Sequence, residues 1–179
     1  MFERLYSDST EPLPFHKVMD ELARSRPHFQ HYTQNIDCIE HLLPDLEAKT
    51  VRLHGQVDQA RYRKCNWVCD FEPHLFQGAD SLGCQRSLDR SQARIIEGKR
   101  SLSISRLRPD VLLYGEPHPD DREILKTAKD SLRIYPDLVL IVGTKLGIPR
   151  AQSIAANFCH AARSVAQVFG SAKRSQCRV

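Results

Sequence analysis

Phe15, Val18, Met19 and Leu22 fall at i, i+3, i+4 and i+7, one face of a helix that begins near Pro14 and ends before Pro27. Phe29 to Thr33 is aromatic and β-prone, so a short strand is expected, running into the polar turn Gln34-Asn35-Ile36-Asp37. Ile39, Leu42 and Leu43 predict a short helix stopped at Pro44. Val51-Arg52-Leu53 predicts a strand that ends at His54-Gly55.

Residues 56–105 show no sustained apolar period, so they read as an insert held by something other than a hydrophobic core. After Arg108-Pro109 the rhythm resumes. Val111 to Tyr114 is a continuous apolar run, as expected of a strand covered on both faces, and Gly115-Glu116 follows it. Asp120 and Asp121 open a helix with Ile124, Leu125, Ala128 and Leu132 on its apolar face. Leu138 to Val142 is the strongest strand signal, turned out by Gly143-Thr144. A last helix from about Pro149 would bury Ile154, Phe158, Ala161, Ala162, Val165 and Phe169, and close at Gly170. Strand–helix alternation predicts parallel pairing and an α/β, Rossmann-like layer structure.

Composition narrows this picture in two ways. With 179 residues, 41% apolar and 27% charged, the chain has a globular balance and room for about one domain plus a small insert. A net charge of +4 is too small an excess to argue for direct nucleic-acid binding. The longest apolar run spans only Leu138 to Val142, so no membrane partner is expected, and Met1-Phe2-Glu3-Arg4 opens without an export-type apolar stretch.

The six cysteines are the unusual feature. Cys65, Cys69 and Cys84 cluster, whereas Cys38, Cys159 and Cys177 are scattered. Thiols in a chain without an export signal more often bind metal, zinc first, or sit buried and reduced. Three thiols are one short of a complete structural set.

In a parallel α/β sheet, ligands bind beyond the carboxyl ends of strands. Four segments here stand at such expected ends: Gln34 to Asp37, His54-Gly55, Gly115-Glu116 and Gly143-Thr144. An amide-rich turn with an acid suits a carboxamide or ribose hydroxyls, and a strand-end histidine suits a general base near neutral pH. A Gly-Thr turn lets backbone amides and a hydroxyl approach phosphate or ribose. Each also has a structural reading: Asn35 and Asp37 as turn residues, Gly143 as a plain strand end, His54 as a solvated side chain.

Together these segments resemble the sirtuins, the NAD-dependent protein deacylases. Tyr32-Thr33-Gln34-Asn35-Ile36-Asp37 is similar to the family signature. Leu53-His54-Gly55, the cysteine cluster, Arg108-Pro109-Asp110-Val111-Leu112-Leu113-Tyr114-Gly115-Glu116, Leu140 to Thr144, and Ile148-Pro149 follow in family order. The Leu-Tyr-Gly-Glu ending and the long stretch 85–107 look most like fungal nuclear members that deacetylate histones.

The resemblance implies a partial Rossmann-like parallel sheet from residues 1–55 and 106–179, with a small zinc-ribbon-like module at 56–105. It implies that His54 is the general base, that Asn35 and Asp37 line the nicotinamide pocket and that Gln34 reaches the ribose. Thr144 and Gly143 would contact NAD. Gly115, Glu116, Ile148 and Pro149 would flank an acyl-lysine peptide, from a histone, added as a strand between two loops. Cys65, Cys69 and Cys84 would hold zinc. The implied setting is the nucleus.

Four departures accompany the likeness. A sirtuin opens with a Gly-Ala-Gly phosphate loop, but no two of the eight glycines here are separated by a single residue, so no dinucleotide phosphate cradle can be drawn from this sequence. The family's last strand, which holds the adenine ribose, has no counterpart before Val179. Ser87 stands where a fourth zinc thiol would fall, leaving His74, Asp80 or a water to complete the set. Lys145 replaces the usual serine after Gly-Thr. The expected activity is therefore sirtuin-type deacetylation, impaired by the missing loop. The alternatives are an inactive sirtuin remnant that binds protein, or an unrelated zinc-ribbon interaction module.

Overall fold

A computed structural model describes residues 11–76, 83–113 and 115–168, with the backbone alone for 165–168. Asp80, Tyr114, Phe169, Gly170, Cys177, the basic tail and the Val165 side chain lie outside the described residues. The chain divides into two compact units. One includes Asn35–His41 and His54–Pro119, and the other includes Pro12–Gln34, Leu42–Leu53 and the residues from Asp120 onward.

The second unit is built on apolar packing. Its elements are α1 (Pro14–Ser25), β1 (His31–Thr33), α2 (Pro44–Glu47), β2 (Thr50–Arg52), α4 (Asp121–Arg133) and α5 (Pro149–Val168). Strands β1 and β2 pair in parallel, with Tyr32 opposite Val51. Leu53, Ile124, Ala128, Ala151, Ile154 and Phe158 form one buried cluster, with Tyr32, Val51, Leu132 and Val139 packed against it. Burying a side chain such as Phe158 or Ile154 stabilises by about 1.5–3 kcal/mol. Acidic Asp121 and Glu123 occupy the first turn of α4 and Arg133 its last, as the helix dipole favours. Arg150 of α5 pairs with Asp121 of α4.

A smaller cluster of Met19, Leu43 and Leu46, with Phe29 against it, seats α1. The Asp20 carboxylate accepts the Leu46 N–H at 2.8 Å. The α1 face therefore differs from the periodicity: Met19 and Ala23 are buried, whereas Phe15 and Val18 are exposed. Pro44 does not stop a helix here; it opens α2 at its first turn, where a missing N–H costs nothing. Residues Ile39–Leu42 form a single 3-10 turn.

The first unit contains β3 (Gly55–Tyr62), β4 (Val68–Asp70), α3 (Gln85–Ile96) and β5 (Leu107–Val111). Its sheet has the order β4-β3-β5 and is antiparallel throughout. The polarity of β3 hid it from the apolar pattern, because Arg61 is buried and paired with Asp110 at 2.8 Å. Ser91 on α3 anchors the following segment, its hydroxyl donating to the Leu102 carbonyl at 3.1 Å.

Two strand expectations change in the structure. The run Val111 to Tyr114 is not a buried parallel strand: β5 ends at Val111 and pairs antiparallel with β3. Leu138 to Val142 is not assigned as a strand. It keeps the alternation of one, with Val139 on the core while Leu138, Leu140 and Val142 stay exposed. A strand needs a hydrogen-bonding neighbour, and among the described residues this run has no ladder partner.

Candidate functional site

The first unit positions His54, Asn35, Asp37, Gly115, Glu116 and the cysteine cluster; the second holds Gln34, Gly143, Thr144, Ile148 and Pro149. His54 lies immediately before β3, half-buried. Its carbonyl accepts the Leu112 N–H at 2.9 Å, which ties it to the chain leaving β5. Gly55 follows with φ +78°, and a Cβ there would stand 1.9 Å from the Asp110 carbonyl oxygen. No other residue permits that approach, so the glycine sets where His54 leaves the sheet.

The Asn35–Asp37 turn is held to the same strand, the Val57 N–H donating to the Ile36 carbonyl at 3.0 Å. The Asp37 carboxylate accepts the Ile39 N–H at 3.4 Å, so it also shapes its own turn. Asn35 and Asp37 are both exposed.

In the second unit, the Thr144 hydroxyl donates to Gln34 Oε1 at 2.6 Å, joining residues 110 positions apart. The same hydroxyl accepts the Leu146 N–H at 3.1 Å, and Gly143 makes the preceding turn at φ +68°. One threonine thus folds its own loop and orients the glutamine amide. Ile148 packs on the main apolar cluster, and Pro149 opens α5.

Glu116 is held in an arginine clamp. Arg108 Nη1 donates to it at 2.7 Å, Arg63 donates to its other oxygen, and the Leu113 N–H adds a bond at 3.1 Å. The Arg108 hydrogen bond, then the Leu113 amide, hold its carboxyl below the usual range. Gly115, beside it, sits at φ +80°. Sequence reading placed Glu116 beside a peptide but did not reveal its two arginines: Arg108 lies eight positions away, whereas Arg63 lies 53 positions away and joins only through the fold.

The thiols were tested as a metal centre by their arrangement. Cys65 and Cys84 sulfurs are 3.4 Å apart. Two thiolates on one tetrahedral zinc would be about 3.8 Å apart, given a Zn–S bond near 2.3 Å. Cys69, on β4 opposite Ala60, and both other thiols lie close enough to Tyr62 to raise its hydroxyl pKa alongside burial. The Ser87 hydroxyl bonds to the Cys84 sulfur and is the leading cause that lowers this thiol, favouring thiolate. Cys65 and Cys84 meet, but Cys69 does not complete a convergent donor set with them: the expected three-thiol arrangement is not gathered within ligand reach among the described residues.

One group of donors escaped the sequence reading. Cys38, His41 and Asp58 place one ligand atom each within 4.8 Å of one another. The three-residue step from Cys38 to His41 was the available signal, but Asp58 joins only through the fold.

A Sir2 family model matches residues 1–149. The chain is 32% identical over 179 residues to the NAD-dependent histone deacetylase HST4 of Saccharomyces cerevisiae, covering 89% of this chain and 48% of that protein. It is 30% identical over 169 residues to the NAD-dependent protein deacetylase hst4 of Emericella nidulans, covering 88% of this chain and 28% of that one. The chain therefore spans about half or less of these relatives. Among solved structures, a Sir2 homologue with 2′-O-acetyl ADP ribose superposes with a TM-score of 0.59 at 22% identity, covering 84% of this chain and 51% of that one. A Sir2 complex with a p53 peptide and NAD+ gives 0.56 at 17%, covering 86% and 56%. These likenesses carry the expected α/β, Rossmann-like class.

Proposed function

The chain belongs to the Sir2 family, and from that premise we propose that its residues serve NAD-dependent deacetylation of lysine side chains in protein. The observation that carries this reading is the Thr144–Gln34 bond, which joins two of the family-like segments across 110 positions. NAD, when bound, supplies the ribose carbon that loses nicotinamide and receives the acyl oxygen.

The protein's share is binding and proton transfer. The Thr144 hydroxyl orients Gln34 through its amide oxygen, and the amide nitrogen is the group that would donate to a ribose hydroxyl. Asn35 and Asp37 carry the polar groups suited to a carboxamide. A ring nitrogen of His54 would take the proton from a ribose hydroxyl as the acyl group moves onto it. Glu116, fixed by Arg63 and Arg108, would present the backbone of Gly115-Glu116 as a rigid edge for an extended peptide. Ile148 and Pro149 are proposed peptide contacts by the family resemblance. Histone tails are the proposed substrate and the nucleus the proposed setting, supported by relatives named as histone deacetylases.

Residues 1–179 hold no paired-glycine phosphate loop. That observation favours one second reading, a protein-binding module without catalysis. Incubation of the full chain with NAD and an acetyl-lysine histone peptide separates the two. Release of nicotinamide with matching loss of acetyl from the peptide, abolished by His54→Ala, is the expected result. Peptide binding with no nicotinamide release, equal in the His54→Ala variant, would establish the second reading instead.

A further inference from the structure

We propose that Cys38, His41 and Asp58 bind one zinc-class divalent cation, at a site other than the Cys65–Cys69–Cys84 cluster. The donors converge for local reasons. Cys38 opens the 3-10 turn Ile39–Leu42, and the His41 N–H donates to the Cys38 carbonyl at 3.1 Å. That bond closes a turn that brings the thiol and the imidazole to the same side chain of β3. Asp58 arrives from β3 beneath them. Its Oδ1 lies 3.3 Å from the Cys38 sulfur and its Oδ2 lies 2.7 Å from His41 Nε2.

Cys38 holds this place at φ +60°, a left-handed conformation that costs a non-glycine residue about 1 kcal/mol or more. Such strain is concentrated at functional sites. The set is chemically mixed: one sulfur, one imidazole nitrogen and one carboxylate oxygen, a combination suited to a borderline cation such as Zn2+. The thiol is buried, whereas the His41 side chain is 41% exposed, so the cation would have a protein floor and an open side for water as its fourth ligand.

A nucleophilic role fits less well. His41 bonds to Asp58, and burial pushes the Cys38 thiol up to about 11, away from thiolate. Cation binding changes that state. The S–H bond breaks, its electron pair goes to the metal, and the proton leaves to solvent.

The test uses the full chain, stripped of metal and titrated with Co2+, then with Zn2+ in competition. The wild-type chain should bind one equivalent more than Cys38→Ser/His41→Gln, and the double variant should lose one thiolate-to-cobalt absorption component. That component should persist in Cys65→Ser/Cys84→Ser. Asp58→Asn, nearly isosteric, should weaken Co2+ binding by about tenfold or more. Circular dichroism checks that each variant is folded. Equal stoichiometry and spectrum in wild type and double variant would overturn the proposal, reducing the trio to a hydrogen-bonded staple. Should the double variant not fold, unchanged Co2+ affinity in Asp58→Asn would overturn it equally.

Discussion

The two compact units are held by different chemistry. The unit with α4 and α5 closes around Leu53, Ile124, Ile154 and Phe158, an aliphatic and aromatic core with few polar demands. The unit around β3 has no comparable cluster among the described residues and relies on paired polar groups. Arg61 meets Asp110, Arg63 and Arg108 meet Glu116, His41 meets Asp58, and Cys65 meets Cys84. Apolar packing tolerates small adjustments, whereas paired polar groups depend on geometry. The polar unit should therefore fail at single atoms, and the apolar unit in proportion to volume lost.

The largest expected effect tests the polar unit. Gly55→Ala forces its Cβ against the Asp110 carbonyl and keeps a positive φ, so β3 and β5 must separate. A cost of about 4 kcal/mol or more is expected, at the extreme of single substitutions. Hydrogen exchange should show the loss in β3 and β5 amides first. Loss confined to α4 and α5 would break the comparison.

Next comes Phe158→Ala in the apolar unit, with an expected cost of about 3 kcal/mol from lost transfer energy and a partly collapsed cavity. Phe158→Leu should recover most of it, because volume governs this site. Denaturant melts of the three proteins measure both numbers. If Leu were as damaging as Ala, this core would be as geometry-dependent as the polar unit.

The smallest effect is a pH dependence. Glu116 titrates lower in the folded chain than in an unfolded one, so its clamp contributes stability above the unfolded carboxyl value of about 4.3 and loses it as pH falls through the lower folded value. Amides near Glu116 should lose protection across that acid window, and Glu116→Gln should flatten the dependence. A profile unchanged by the substitution would assign the acid response elsewhere.

The same contrast explains what the sequence made legible. The helices around Ile124 and Phe158 show 3.6-residue periods because their partners are apolar. The strand Gly55–Tyr62 did not, because a buried arginine satisfied by a distant aspartate looks like a surface residue to any hydrophobic pattern. Leu138 to Val142 shows the reverse error: composition predicts a strand, but pairing decides one, and no ladder forms there among the described residues. Motif residues such as His54 and Thr144 were readable as types, while the Thr144–Gln34 bond and the Glu116 clamp exist only through long-range folding.

The close approach at Gly55 bears on how this region would look in a mutational scan. His54 and Gly55 would both tolerate almost nothing, for opposite reasons. Replacing His54 would leave a folded chain without its proposed base, and replacing Gly55 would keep that histidine but lose the strand that follows it. A screen scored on turnover alone would count the two neighbours as one catalytic pair, and only an abundance measurement beside it would separate the reagent from its mount.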